Sequence, residues 1–505
     1  MENNQSIFSR FSASILFNIL RGGLTLATTV LLARFLGVEN YGRMAFLLAS
    51  FLAFKSLLDM SSSHAFFTFL SEKTRSKKFV NMYLCWMACQ LVVSLLLVGL
   101  ILLDEVLEKV WVNESRFLII LALTATYMQQ SGWLVASQMA EAQRQTIKVQ
   151  KLGTVIISIN LVMILLLEYA DLITLPILFT ILTLEWSVGA FLAARMYVGL
   201  DDISDTFSTV MAEFWAYCKP LIPYAWLVAL GEFLDRWMLQ TWGGNAEQGY
   251  YAVATNIMVV VAIGVISIIR ILWKEIAEAY HQKNMDLVSS LYQRTNRAIY
   301  VCAAFFVGAS LPWSSEILNT LVGSDYSAGN KTFMLMVIYT AHQSLGQING
   351  VLLLATKKVK IHTIIGSVAV IAGVAASYYI LAPAEAVIPG LNMGSEGLAW
   401  KMVIINLVMV NILMYVIARE FNWKYQWFYQ FYVLGLAILV GYLVKNLVLG
   451  VFSSTYLSMI ISLLLYTVTF GFLCYAFPML ALGITKSKLL GSLSKLGSKS
   501  KFVEP

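Results

Sequence analysis

The chain has 505 residues, of which 59% are hydrophobic and only 12% are charged. Soluble globular proteins carry about 25% charged residues, so this composition excludes an ordinary soluble enzyme. Apolar segments of roughly 20 residues recur from end to end, and each is long enough to cross a bilayer as a helix. The sequence therefore predicts an all-α polytopic membrane protein.

Fourteen apolar segments are predicted to be transmembrane helices. They run over residues 12–35, 44–66, 79–103, 116–138, 152–170, 176–197, 220–241, 250–272, 298–321, 331–355, 361–382, 397–419, 427–449 and 455–480. Lys and Arg concentrate in alternate connections, such as those holding Lys77 and Lys358, and the positive-inside rule places these connections in the cytoplasm. Both termini are then expected to be cytoplasmic.

The first two segments are separated only by GVENYG, which begins at Gly37 and ends at Gly42. Because Gly and Asn favour turns, this stretch predicts a tight helical hairpin that faces outward. The seventh and eighth segments are joined by GNAEQG, in which Gly244 and Gly249 have the same spacing. Hairpin one–two is therefore predicted to recur as hairpin seven–eight, with a two-fold axis along the membrane normal.

This repeat predicts the organisation of the chain. It comprises an N-terminal six-helix lobe over 1–200, an amphipathic cytoplasmic linker helix over 201–219, a C-terminal six-helix lobe over 220–420, two additional helices over 421–485 and a basic cytoplasmic tail over 486–505. In the linker, Ile203, Phe207, Val210, Phe214 and Cys218 recur at helical spacing. This apolar stripe is expected to lie along the membrane surface.

Several stretches resemble one family: LLARFLGVENYG, LDRWMLQTWGGNAEQGYYAVAT, LNTLVGSDYSAG and GVLLLATKKVK. They are similar to the polysaccharide transporters, the Wzx-type flippases for O-antigen, capsule and related repeat units. The superfamily also contains the MATE drug exporters and the MurJ lipid II flippase. The resemblance runs through both predicted lobes and implies a central cavity that opens alternately to each side. The last two segments depart from the twelve-helix Wzx pattern and resemble the fourteen-helix plan of MurJ.

The resemblance implies a flippase of the bacterial inner membrane that moves a polyprenyl-diphosphate-linked oligosaccharide, and not an enzyme. Its implied partners are membrane lipids, a polysaccharide polymerase with assembly proteins, and a proton or sodium gradient; no cofactor and no nucleic acid are expected. One alternative is a MATE-like ion-coupled small-molecule exporter. Another is a membrane oligosaccharide polymerase or ligase, against which the short outward connections count.

Ionisable residues inside the segments are the candidate cargo-binding groups, because each costs at least about 2.5 kcal/mol at the centre of a bilayer. The predicted diphosphate ligands are Arg21, Lys55, Arg270 and Lys274. Arg21 and Arg270 also match, by helix, the cavity arginines of the lipid II flippase. Two alternatives stay open: Arg270 snorkels to the interface, and Lys55 pairs with Asp59 four residues later.

Carboxylates and neutral polar groups complete the candidate site. Glu185 and Asp59 are the predicted carriers of a coupling ion, and Asp235 is expected near the outer gate, paired with Arg236 or contacting the other lobe. The predicted sugar-binding groups are Thr25, Thr28, His342, Gln343 and Gln347. For the His342 stretch, hydrogen bonding between helices is an equal alternative. The four histidines have no spacing suited to a metal.

Overall fold

The computed structural model describes residues 7–72, 75–199, 206–425 and 427–478. Within these ranges, residues 7–15, 259–268 and 270–271 are described by their backbone alone. The helices are α1 (Ile7–Asp59), α2 (Ser62–Glu72), α3 (Lys77–Leu96), α4 (Asp104–Val110), α5 (Arg116–Tyr127), α6 (Trp133–Ala142), α7 (Thr146–Tyr169), α8 (Leu175–Ala194), α9 (Phe207–Cys218), α10 (Ile222–His281), α11 (Met285–Ser310), α12 (Ser314–Val322), α13 (Asn330–Ala355), α14 (Val359–Leu381), α15 (Gly394–Glu420), α16 (Phe428–Leu449) and α17 (Thr455–Ala476). π-helical turns at Leu97–Ile101 and Met128–Gly132 and a 3₁₀ segment at Ser324–Gly329 connect them.

Nine of the described helices are long and apolar enough to cross a membrane, and α11 with α12 would make a tenth. The prediction of an all-α polytopic membrane protein is thereby confirmed. Helices α1 and α10 have 53 and 60 residues, more than two crossings require. The total of fourteen crossings and the cytoplasmic side of the termini stay predictions.

Helices α1 and α10 are each broken at one glycine, which lies at the start of a predicted turn. Gly37 has φ 69° and ψ 173°, and Gly244 has φ 79° and ψ −173°. Without a Cβ, glycine adopts this left-handed φ readily. Helical structure resumes at the next residue, so Asn40 and Asn245 lie within helices and not in a loop. Both predicted copies thus contain the same backbone break.

The predicted segment 298–321 is divided by a sharp bend. Helix α11 ends at Ser310, α12 begins at Ser314, and their axes differ by 78°. Pro312 lies in the break. Proline lacks a backbone N–H and disfavours a helical conformation in the residue before it, which accounts for the end of α11.

The contacts divide the chain into two compact units. The first comprises Met1–Val260, Val322–Gly329 and Ser367–Lys401, and the second Val261–Leu321, Asn330–Gly366 and Met402–Pro505. The boundaries fall inside α10, α14 and α15, so they differ from the predicted lobes, which stay a prediction. The basic tail from residue 486 lies outside the described residues.

An aromatic cluster in the first unit holds the linker helix α9. The ring of Phe214 stacks on Tyr83 with centroids 5.4 Å apart, and Phe66 stacks on Tyr83 at 4.1 Å. Val210 and Cys218 are buried beside them. The stripe residues Val210, Phe214 and Cys218 therefore pack onto the protein, and the location of the helix along the membrane surface stays a prediction. Phe207 is 65% exposed, and Ile203 lies outside the described residues.

Small residues allow α16 to pack closely on α11 in the second unit. A Cβ on Gly308 would collide with the carbonyl oxygen of Ala437, and one on Gly441 would collide with the carbonyl oxygen of Gly308. Lys445 of α16 adds an ion pair of 2.7 Å to Glu316. The additional C-terminal helices are thus attached to α11 by direct backbone contact and by a charge.

We expect Gly308→Ala and Gly441→Ala to lower the thermal stability of the detergent-solubilised protein, because the added methyl forces two backbones apart at a cost of about 1–3 kcal/mol. Gly435→Ala is the matched control, since a Cβ there meets open space. That variant should melt at or slightly above the wild-type temperature, because alanine favours a helix. Equal melting of Gly308→Ala and wild type would contradict the packing described.

Candidate functional site

The two glycine turns touch one another in the first unit. A Cβ on Gly42 would collide with the carbonyl oxygen of Asn245 and lie 2.9 Å from the backbone nitrogen of Gly249. A Cβ on Gly249 would in turn meet the backbone and side chain of Val38. Each turn therefore uses its second glycine to approach the backbone of the other, and both glycines are required for the contact.

Tyr326, in the 3₁₀ segment, lies against both turns. Its hydroxyl donates a hydrogen bond of 3.0 Å to the carbonyl of Ala33. Its ring makes edge contacts with Tyr41 at 6.5 Å and with Tyr250 at 6.2 Å, each measured between centroids. Tyr326 and Tyr41 are 1% and 2% exposed. We call Tyr41, Tyr250 and Tyr326 the tyrosine cluster.

Each turn is also tied to the start of another helix. Arg43 makes a bidentate ion pair with Glu114, with distances of 2.7 and 2.8 Å, just before α5 begins. Glu247 accepts a hydrogen bond of 2.6 Å from the backbone N–H of Ser395 in the first turn of α15. A carboxylate at a helix N-terminus satisfies amide groups that lack an intrahelical partner.

Asp235 pairs with Lys401 of α15 and accepts a hydrogen bond of 2.6 Å from Ser377 of α14. The expected pair with Arg236 is wrong. The guanidinium of Arg236 lies instead over the ring of Tyr251, 4.5 Å from its centroid. Adjacent residues of a helix point about 100° apart, so Asp235 and Arg236 face different neighbours.

Arg21 lies inside the first unit, among α1, α6 and α7. A side chain at Gly153 of α7 would approach the guanidinium carbon of Arg21 to 3.8 Å. Glu141 at the end of α6 attracts its charge. The Nε atom is buried and has no hydrogen-bond partner among the described residues. Thr28 has a buried, unpartnered hydroxyl on the same helix, whereas Thr25 is exposed.

Lys55 and Asp59 form no ion pair in the described part of α1. Asp59 accepts hydrogen bonds from the backbone nitrogen and hydroxyl of Ser63, at 3.2 and 2.9 Å, and from the hydroxyl of Ser62. These contacts stabilise the start of α2, as an N-terminal carboxylate does. Asp59 is thus occupied as a helix-capping group, which weakens it as a coupling-ion candidate.

Only one of the two carboxylate oxygens of Glu185 on α8 is hydrogen-bonded among the described residues. One oxygen accepts a hydrogen bond of 2.7 Å from the side-chain amide of Asn160 on α7. The other oxygen, Oε1, is buried without a hydrogen-bond partner among the described residues. No basic side chain pairs with Glu185 in the described part of the chain, so its second oxygen is open to a proton or a cation.

The predicted sugar-binding stretch lies in α13 of the second unit. His342 is only 4% exposed, and its ring packs edge-on against Tyr300 at 6.0 Å. Gln343 accepts a hydrogen bond of 2.8 Å from Tyr339, whereas Gln347 has a buried, unpartnered Oε1. This burial favours contacts between helices over contact with a cargo.

Of the two predicted cations on α10, Lys274 is exposed. The side chain of Arg270 lies outside the described residues. No group of three or more His, Cys, Asp or Glu side chains suited to a metal ion occurs within the described ranges.

Sequence reasoning missed several partners that the structure supplies. Lys401 is an ionisable residue within an apolar segment, which was a usable signal. Glu141 and Glu114 lie at segment ends, where acidic residues are ordinary, so nothing marked them as partners of Arg21 and Arg43. Tyr326 lies far from both turns in sequence, and only the folded chain brings it to them.

No protein-family model matches this sequence, and no curated protein matches it either. Solved structures match its fold. The lipid II flippase MurJ in an inward closed conformation matches with a TM-score of 0.70 at 14% sequence identity, over 94% of this chain and 100% of that chain. An outward-facing multidrug resistance MATE family transporter of the MOP superfamily matches with a TM-score of 0.55 at 10% identity, over 82% of this chain and 96% of that chain.

The MATE multidrug transporter DinF-BH matches with a TM-score of 0.56 at 14% identity, over 83% of this chain and 96% of that chain. The fold of this chain is therefore similar to that of these flippase and multidrug transporter structures. The paired glycine turns, the tyrosine cluster and Arg21 all belong to the first unit.

We expect Tyr326→Phe to shift the two turns about fivefold towards separation, because it removes the hydrogen bond, worth about 1 kcal/mol, by which the 3₁₀ segment holds Ala33 of α1, and keeps the ring. Spin labels at the exposed residues Glu39 and Thr241 would report a larger population of long distances. Tyr250→Phe is the control, since the structure gives the Tyr250 hydroxyl no hydrogen bond among the described residues. Identical distance distributions in Tyr326→Phe and wild type would refute the role of this bond.

Proposed function

We propose that the protein is a flippase that moves a polyprenyl-diphosphate-linked oligosaccharide across the bacterial inner membrane by alternating access. The observation that carries the proposal is the extent of the fold match. The match to the lipid II flippase covers 94% of this chain, whereas the matches to the two MATE transporters cover 82% and 83%. The match thus covers the whole of the flippase chain and more of this chain than either transporter match does, which supports a lipid-linked cargo over a small molecule.

The diphosphate of such a cargo must leave water to cross the membrane, so it requires cationic groups that replace its hydration. Arg21 supports this role because its Nε is buried without a hydrogen-bond partner among the described residues, while Glu141 is the acid that attracts its charge. A planar guanidinium offers paired donors that match phosphate oxygens. In this proposal the charge of Glu141 positions the guanidinium of Arg21, and the N–H groups of Arg21 then donate hydrogen bonds to the cargo.

The two glycine turns are proposed to form one gate. Their backbones meet at Gly42 and Gly249, and Tyr326 contacts the helices on both sides. Opening this end of the first unit requires the loss of these contacts together. The joint loss would make opening a two-state event, as alternating access requires.

Arg21→Gln should abolish export of the lipid-linked oligosaccharide while the protein still reaches the membrane, because an amide cannot offset a diphosphate. Arg21→Lys should restore export only in part, since an ammonium lacks the bidentate fork. The measurement is the amount of cargo exposed on the outer leaflet. Arg34→Gln, at an exposed arginine on the same helix, is the control and should export normally.

Protein abundance must be measured alongside, because removal of Arg21 also removes the positive charge that attracts Glu141 and so can destabilise the first unit. Normal abundance together with normal export in Arg21→Gln would exclude the proposed role. A loss of export shared equally by Arg34→Gln would show that the effect is not specific to Arg21.

Glu185 is proposed to bind the coupling ion, because one of its oxygens is held by Asn160 and the other is buried and open. Glu185→Gln keeps an acceptor for Asn160 and cannot ionise, so export should lose its dependence on the proton or sodium gradient. Glu168→Gln, at an exposed carboxylate of α7, is the control. Gradient-driven export that persists in Glu185→Gln would assign the coupling to another residue.

A further inference from the structure

A small cavity lies in the second unit, where α11, the end of α15 and the start of α16 come together. Its volume is about 50 Å³. One water needs only about 10–15 Å³, so the space admits a polar group of several atoms. None of the residues assigned above to cargo, gate or coupling ion lines this cavity.

The charge of the cavity wall favours an anion. Arg297 of α11 and Lys424, just beyond α15, both line it, and none of its described lining residues is an aspartate or glutamate. Asn296 also lines it, is 8% exposed, and has a buried Oδ1 without a hydrogen-bond partner among the described residues. Because rotation of the side-chain amide exchanges its oxygen and nitrogen, Asn296 can present an N–H to an anion.

Aromatic side chains fix the shape of the wall. The guanidinium carbon of Arg297 lies 4.9 Å from the centre of the Tyr429 ring, and the Tyr429 hydroxyl donates to the Arg297 carbonyl at 3.2 Å. Across the cavity, Trp423 stacks on Tyr292 with centroids 5.6 Å apart. The hydroxyl of Tyr292 in turn donates to the side-chain oxygen of Asn349 at 2.8 Å. The wall is therefore preorganised, which lowers the cost of binding.

The surroundings place the cavity at the level of lipid head groups. The stretch from residue 423 to 432 contains Trp423, Tyr425, Trp427, Phe428, Tyr429, Phe431 and Tyr432. Trp and Tyr concentrate where the bilayer meets water. Trp427 and Phe428 are 51% and 65% exposed. Farther along α16, Leu439, Leu443 and Leu447 form an exposed apolar row at helical spacing.

We propose that this cavity binds the phosphate of an anionic phospholipid, whose acyl chains lie along the exposed side of α16 from Phe431 to Leu439. Arg297 and Lys424 supply the charge, and Asn296 supplies a neutral donor. Basic pockets between membrane helices bind anionic head groups by this chemistry. A lipid bound here would join α11 to the start of α16, away from the contact of Gly308 with Gly441. The proposal does not depend on the transported cargo.

The test is a titration of the full-length protein in neutral detergent with phosphatidylglycerol, followed by native mass spectrometry. Wild type should bind phosphatidylglycerol more tightly than phosphatidylcholine. Lys424→Gln and Arg297→Gln should each weaken phosphatidylglycerol binding about fivefold, since one basic residue near a membrane surface contributes about 1 kcal/mol. Arg294→Gln is the matched control, because Arg294 is an exposed cation one turn earlier on α11 that does not line the cavity.

The contrary outcomes are distinct. Equal binding of phosphatidylcholine would show that the site selects acyl chains and not a phosphate charge. Displacement of phosphatidylglycerol by millimolar inorganic phosphate would show a site for free anions. Binding by Lys424→Gln that equals wild type would overturn the proposal, and because Lys424 is exposed, this variant stays informative even if Arg297→Gln fails to fold.

Discussion

Close backbone contact at glycine is the interaction on which this structure depends. Within a bilayer the surrounding lipid is as apolar as the helix surfaces, so burial of apolar area gives little drive to associate. Packing must come from surfaces that fit. In the first unit Gly42 and Gly249 bring two helix breaks together, and in the second unit Gly308 and Gly441 bring α11 and α16 together. Each pair lets a carbonyl oxygen occupy the space that a side chain would fill.

The charged groups follow from the same solvent constraint. Every ionisable group in hydrocarbon needs a partner, and most described ones have one: Asp235 has Lys401, and Arg43 has Glu114. These pairs join separate helices, so they fix packing and are not available to a cargo. Arg21 and Glu185 each retain a buried polar atom without a hydrogen-bond partner among the described residues, as Arg236 and His342 also do. Such atoms call for an explanation, and a bound cargo or ion is the one proposed for Arg21 and Glu185.

Much of the architecture could be predicted from the sequence because hydropathy and length constrain a membrane helix strongly. The glycine spacing of GVENYG and GNAEQG also predicted that the same break would occur twice. The turn is shorter than the six residues GVENYG, since one left-handed glycine is enough to break the helix and Asn40 can then be helical. The bend at Pro312 was visible as a proline but was read as part of one segment.

Side-chain partners could be predicted far less well, because they depend on which helices become neighbours. The pair of Lys55 with Asp59 is local in sequence and favourable by spacing, yet Asp59 bonds to Ser62 and Ser63 instead. A helix start offers free N–H groups at a fixed position, whereas Lys55 would have to immobilise a long side chain to reach the carboxylate. The same competition explains Asp235, whose partner lies 166 residues away.

In the proposed function, the stability of the gate and the affinity for cargo are linked. If the turns, the tyrosine cluster, the ion pair at Glu114 and the hydrogen bond at Glu247 all stabilised one state strongly, the alternating state would not be populated. The contacts between the two hairpins are glycine backbone packing and a hydrogen bond of 3.0 Å from the side-chain amide of Asn256 to the hydroxyl of Tyr41, while Tyr326 adds a bond to the carbonyl of Ala33. Such contacts are individually weak, so binding of a doubly charged head group to Arg21 could supply enough free energy to shift the equilibrium. The charged contacts of Glu114 and Glu247 hold each turn to its own neighbouring helix, and the weaker contacts lie between the turns, which is the distribution that the proposed gate requires.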